Sequence, residues 1–221
     1  MQPTYLPWVG YFSLIQSVDY FIFLDDVQYS KQSWQSRNKI LISGSPEWLT
    51  VPVIKPNGLQ TQIRHVLVDD RQKWREKHIE KLAVNYGAHS FFHNISFVND
   101  ILLDCSKKNI ANININIITA ISQYLKIQTK FLLSSSFDIK ASRSEKLYLL
   151  SNEVNADIYV SPMGSKEYLA EDHFEELYPI KLEFFSHTPK QYPQASSASF
   201  IEKLSIYDLL VNCGKSSSDF I

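Results

Sequence analysis

The chain has 221 residues, of which 44% are hydrophobic and 20% charged, and its formal net charge is −1. That length supports one large domain or two small ones around a sizeable core. The near-neutral balance speaks against general affinity for nucleic acid or an anionic membrane, and no apolar run approaches the ~20 residues of a membrane span. The N-terminus has no basic segment leading into an apolar one, so it does not read as a secretory signal. Cys105 and Cys213 form no close-spaced pair, which excludes zinc and redox motifs and fits reduced thiols in a cytoplasmic protein.

In chain order, MQPTYLPWVGYF opens the sequence with two prolines and four aromatics. It is either core or the floor of a site. Residues 10–17 read as a short helix. The apolar run 20–24 (YFIFL) has strand length and suits a parallel sheet, with Asp25 and Asp26 at its C-terminal end, where α/β sheets bind ligands. Residues 34–42 and 48–54 read as a hairpin around the turn 43–46, with Pro52 marking an edge. Asp70 is a candidate cap for a helix over 71–85, in which Trp74, His78, Leu82 and Tyr86 share one face and Gly87 stops it. Residues 97–125 read as helix in one or two pieces, with Ile110, Ile113, Ile117, Ile121 and Leu125 on its apolar face.

A short strand is expected at 131–133. SRSE at 142–145 fits a capping box for a helix running to about 154. Strand 157–161, the turn 162–165, helical stretches at 166–170 and 171–176, strand 181–185 and a final helix 204–213 stopped by Gly214 complete the order. The pattern predicts one α/β domain, Rossmann-like, with a parallel sheet covered by helices on both faces. A hairpin at about 34–68 and a helical segment at about 70–125 are inserted in it.

Three places can carry chemistry. Gly10 opens a helix after a stiff loop, a geometry in which helix amides meet an anion, beside Asp25 and Asp26. Arg37 and Lys39, flanking Asn38, offer cations for phosphate or carboxylate. Ser161, Gly164 and Ser165 lie in a turn between a strand and a helix, weakly like a phosphate cradle. His78 is a candidate base, although its face suits a half-buried histidine. His89 and His93 are four apart but lack a third ligand, so no metal is assigned.

Nine stretches, in order, together resemble the WbqC-like proteins of bacterial surface-polysaccharide gene clusters. They are QPTYLPWVGYF (2–12), FIFLDDVQY (21–29), WQSRNKI (34–40), WLTVPV (48–53), HIEKLAVNY (78–86), SRSEKL (142–147), YVSPMGSKEYL (159–169), QYPQ (191–194) and LSIYDLLVNCG (204–214). The resemblance implies O-antigen or related lipopolysaccharide assembly in the bacterial cytoplasm. The implied reaction is transfer of an acyl or aminoacyl group, such as glycyl, to the amine of a nucleotide-linked aminosugar.

On that reading Tyr5, Trp8 and Tyr11 stack on base or sugar, and Gln2 and Gly10 line the sheet-end pocket. Asp25 or Asp26 binds the amine or takes its proton, with His78 in reserve. Trp34 and Asn38 join Arg37 and Lys39, which hold the diphosphate. Ser165, with Ser161 and Gly164, forms the opposite wall. The implied partner is a small-molecule nucleotide sugar, without nucleic acid or membrane insertion.

Two departures stand out. Relatives carry residues before Gln-Pro as a short first strand, so here either that strand is truncated or the true translation start lies upstream of Met1. The turn reads Ser161-Pro162-Met163-Gly164 where Ser-Gly-Pro is expected. A more distant likeness links Trp8-Val9-Gly10-Tyr11 to the His-x-Gly-His quartet of adenylate-forming ligases and nucleotidyltransferases. Both histidines are missing, so the cofactor stays open, with ATP as one option. A non-catalytic nucleotide-sugar-binding or scaffold protein is the other alternative.

Overall fold

The computed structural model describes residues 1–195 and 199–221. Helix α1 (Val9–Gln16) leads into β1 (Tyr20–Phe23). A hairpin follows, β2 (Arg37–Ile42) and β3 (Ser45–Thr50), then β4 (Val53–Ile54) and β5 (Leu67–Val68). Next come α2 (Trp74–Tyr86), α3 (Ser96–Leu103), α4 (Ile110–Tyr124) and β6 (Lys130–Leu133). The remainder is α5 (Arg143–Glu153), β7 (Ile158–Pro162), α6 (Lys166–Glu171), α7 (Phe174–Leu177), β8 (Lys181–Phe185) and α8 (Ile206–Cys213).

The architecture is mixed α/β with several short sheets, but the single parallel sheet expected from the sequence is not formed. Among the described residues, β1 pairs with β6 and β7 with β8, both parallel, while β2–β3 and β4–β5 are antiparallel. A cavity of about 390 Å³ is lined by Tyr20 and Ile22 of β1, Ile158 and Val160 of β7 and, from α5, Leu147 and Leu150. Among the described residues no strand precedes α1, but Met1 is hydrogen-bonded to the end of β1. The Met1 amine donates to Ile22 O and Leu24 N donates to Met1 O, each at 2.8 Å.

Local chemistry explains most element ends. Ser43 (φ 49°) and Gly44 (φ 80°) are both left-handed, as a two-residue hairpin turn needs, so β3 starts at Ser45, earlier than the expected 48. The predicted strand 48–54 is broken at Val51-Pro52 into β3 and β4. Asp70 does not cap α2. Its carboxylate accepts from Trp74 Nε1, Arg75 Nε and Lys108 Nζ, and left-handed Lys73 begins the helix. Ser142 makes no capping bond either; Arg143 has a φ of 50°, and Ser144 donates to Asp172 instead. Asn109 and Ser205 do cap α4 and α8 through their side chains.

The large core gathers the opening stretch, β1, the inner side of the hairpin, the apolar faces of α2 and α4, and α8. All of Trp74, His78, Leu82 and Tyr86 are buried on it, as are the five apolar positions expected on α4 and at its end. A smaller cluster of Leu147, Leu169 and Phe174 sits beside β7 and β8, and Leu24 packs against it.

Candidate functional site

Parallel pairing of β1 with β6 brings two loops to one strand end. Leu24-Asp25-Asp26 follow β1, and the 3-10 turn Ser134–Ser136 follows β6. The Asp25 carboxylate, only 5% exposed, accepts from Ser135 N–H at 3.0 Å and from the Ser135 hydroxyl at 2.6 Å. The Ser134 hydroxyl lies within hydrogen-bond reach of both Asp25 and Asp26. It has one proton, so it donates to one carboxylate at a time.

Lys146, in the first turns of α5, donates to Asp26 Oδ2 at 2.6 Å, with side chains 9% and 12% exposed. Burial pushes the Asp26 carboxyl up. The bonds from Lys146 and Ser134 outweigh it, and the group is held below its ordinary range. Asp26 is therefore an ionised anchor. Among the described residues Lys146 pairs with Asp26 alone, and Asp25 is held by the Ser134 and Ser135 donors.

The sequence reading placed Asp25 and Asp26 here but missed Ser134, Ser135 and Lys146. The usable signal was position, since a polar loop after the strand at 131–133 lies at the same sheet end as Asp25 if the strands are parallel.

Among the described residues the opening stretch is hydrogen-bonded to this end at its start, through the Met1–Leu24 bond. Gln2 Oε1 accepts from Gln35 Nε2, and Asn114 Nδ2 binds both Pro3 O and Gln35 O. Tyr5 and Tyr11 are core residues rather than open stacking faces. The Tyr5 hydroxyl meets His78 Nδ1 at 2.8 Å, and Tyr11 donates to Gln2 O. Trp8 lies at the other end of the stretch, bridged to Ser205 and edge-on to His187. A Cβ on Gly10 would meet the Trp8 indole at 2.3 Å, so this glycine makes room for the protein's own ring over the first turn of α1.

His78 is enclosed. Its Nε2 faces the Thr50 carbonyl at 3.1 Å, which can only accept, so the proton sits on Nε2 and Nδ1 accepts from Tyr5. Burial lowers its pKa to about 4. These contacts assign it to holding β3 on α2.

Asn38 is buried and donates to Leu6 O and Tyr5 O, tying the hairpin to the opening loop. Arg37, Lys39 and Trp34 lie on the hairpin's other face, and among the described residues no hydrogen bond joins them to Asp25 or Asp26. Ser161 and Ser165 bond to each other at 2.5 Å, and Ser165 also donates to Pro162 O. A Cβ on Gly164 would meet nothing. This turn shares the Leu24 flank through α6 but is not hydrogen-bonded to the carboxylates among the described residues. Among them, too, no group of three His, Cys, Asp or Glu is placed to hold a metal.

With this geometry in hand, comparison with known proteins decides the family. The family model for WbqC-like proteins matches residues 2–220. The chain belongs to the WbqC-like protein family. It is also similar to an uncharacterized protein of Mycobacterium tuberculosis, Rv1507c, with 33% identity over 222 residues that cover 100% of this chain and 95% of the relative. No solved structure matches the chain. Among the described residues no helix is long and apolar enough to cross a membrane.

Proposed function

We propose that this protein is a glycan-assembly enzyme that transfers an acyl or aminoacyl group to the amine of a nucleotide-linked aminosugar. The observation that carries this reading is the strand-end cluster, in which Asp26 is paired with the Lys146 ammonium and the adjacent Asp25 is held by Ser134 and Ser135. Membership of the WbqC-like family supports the surface-polysaccharide setting. Asp26, held ionised, accepts a hydrogen bond from the sugar's neutral amine beside Lys146. The amine nitrogen forms a bond to the acyl carbon as the bond to the donor's leaving group breaks. Asp25 is the neighbouring carboxylate that can take the proton released.

Incubation of purified protein with nucleotide-linked aminosugars and acyl donors, with and without ATP, followed by mass analysis, tests the proposal. Product heavier by the acyl group supports it. Absence of both product and nucleotide-sugar binding overturns it.

A second reading has its own observation. Ser134 is fully buried and Asp25 nearly so, which suits a cluster that only locks the β1 and β6 ends together. The protein would then bind the nucleotide sugar without chemistry. Replacing both carboxylates (D25N with D26N) separates the two: sugar binding kept with transfer lost supports the enzyme.

A further inference from the structure

We propose that the outer face of the β2–β3 hairpin is a second binding site, built for a sugar ring that carries an anionic group. It goes beyond the reaction above, because nothing in it depends on Asp25, Asp26 or Lys146. Arg37 and Lys39 are two residues apart on β2 and so share one face. The register sets Trp48 opposite Lys39 and Thr50 opposite Arg37. The Arg37 guanidinium carbon lies 4.2 Å from the Trp48 ring centroid and Lys39 Nζ 5.1 Å from it. Trp34 joins from the preceding loop, its ring centroid 5.3 Å from that of Trp48 at a 49° tilt.

Two properties set this face apart from ordinary surface. The indoles stay open, Trp34 at 47% and Trp48 at 39% exposure, and together they make an apolar corner rather than a closed stack. Their cations also lack anions. Among the described residues neither Arg37 nor Lys39 has a carboxylate in ion-pair range, and the Arg37 Nε, which is buried, has no hydrogen-bond partner. Glu47 lies opposite Ile40, on the other face of the hairpin.

The corner is also held in place before any ligand arrives. Asn38, Ile40 and Leu49 are buried beneath it, Trp34 O accepts from Tyr5 N at 2.8 Å, and His78 pins Thr50 O. Little ordering cost remains for binding. Open indole faces pack the C–H face of a pyranose, and two adjacent cations hold a phosphate or carboxylate. A neutral sugar would leave the cations unused, and a bare anion would leave the indoles unused. An anionic sugar uses both.

Titration of the full chain with N-acetylglucosamine 1-phosphate, read by tryptophan fluorescence and ligand NMR line broadening, tests this. The sugar phosphate should bind about tenfold or more tightly than N-acetylglucosamine or inorganic phosphate alone. Trp48→Ala and Trp34→Ala should each abolish binding while the circular dichroism stays that of the wild type. Arg37→Gln with Lys39→Gln should remove both the preference for the phosphorylated sugar and the sensitivity to salt. No binding by the wild type would overturn the proposal, as would binding that both tryptophan variants retain, or phosphate binding as tight as that of the sugar phosphate.

Discussion

The β1–β6 strand end and the outer hairpin face treat charge in opposite ways. At the strand end every charged group is close to buried and each has named partners: Asp25 with Ser134 and Ser135, Asp26 with Ser134 and Lys146. On the hairpin, Arg37 and Lys39 stand over an open indole with no acid opposite. Buried, paired charges fix geometry and are costly to disturb, whereas the half-buried Arg37 and Lys39, without an acid partner among the described residues, cost less to remove. The contrast predicts that substitutions at the strand end disturb folding and chemistry together, while those on the hairpin face separate binding from stability.

The largest effect expected comes from beneath the hairpin. His78 titrates at about 4 in the folded protein against 6.5 ordinarily. Above pH 6.5 it is neutral in both states and its contribution is complete. As pH falls from 6.5 towards 4 the unfolded chain takes up the proton and the folded chain does not, so stability falls by about 3 kcal/mol. Urea unfolding across that range should show the loss, and His78→Gln should flatten it. An unchanged slope in that variant would assign the acid sensitivity to other groups and weaken the anchoring role given to His78.

At the strand end, Lys146→Ala leaves Asp26 without its ammonium. The expected cost is roughly 2 kcal/mol, below that of a fully enclosed pair because Asp26 keeps a solvent-facing edge. Restoring neutrality with D26N in the same chain should recover part of it. No recovery would mean that packing of the lysine stem, and not the charge, carries the cost. On the hairpin, Arg37→Gln should cost only about 1 kcal/mol or less, the worth of its cation–π contact, by the same urea midpoint measurement. A cost equal to that of Lys146→Ala would erase the comparison.

The smallest effects separate a formed cap from an unformed one. Ser205→Ala, which removes a bond to Tyr207 N, should cost about 1 kcal/mol, and Ser142→Ala, which removes none, should cost next to nothing.

Elements were legible where the pattern is local. The four-residue spacing from Trp74 to Tyr86 and the isoleucine face of α4 follow from helical period alone, and both are buried as expected. Cap chemistry was read less well, because the Asp70 carboxylate is taken by Trp74, Arg75 and Lys108 side chains and Ser142 sits before a left-handed Arg143 and makes no side-chain cap bond. Asp25 and Asp26 could be placed at a strand end from the run YFIFL. Lys146 could not, because its link to Asp26 joins residues 120 apart and nothing near either one signals it. The aromatic opening misled for a physical reason. Tyr5 and Tyr11 read as stacking surfaces, but each hydroxyl has a protein partner and each ring fills the core.

That opening stretch also constrains how the chain assembles. Pro7 O accepts from Ile206 N at 2.7 Å, Trp8 bridges Ser205, and Lys39 O accepts from Ser205 N. The segment around Pro7 and Trp8 is thus seated against one far along the chain, around Ser205 and Ile206. Such non-local closure is slow to form. Until α8 is in place, Tyr5, Leu6 and Trp8 lack their final neighbours, so this aromatic stretch is among the last parts of the fold to be locked.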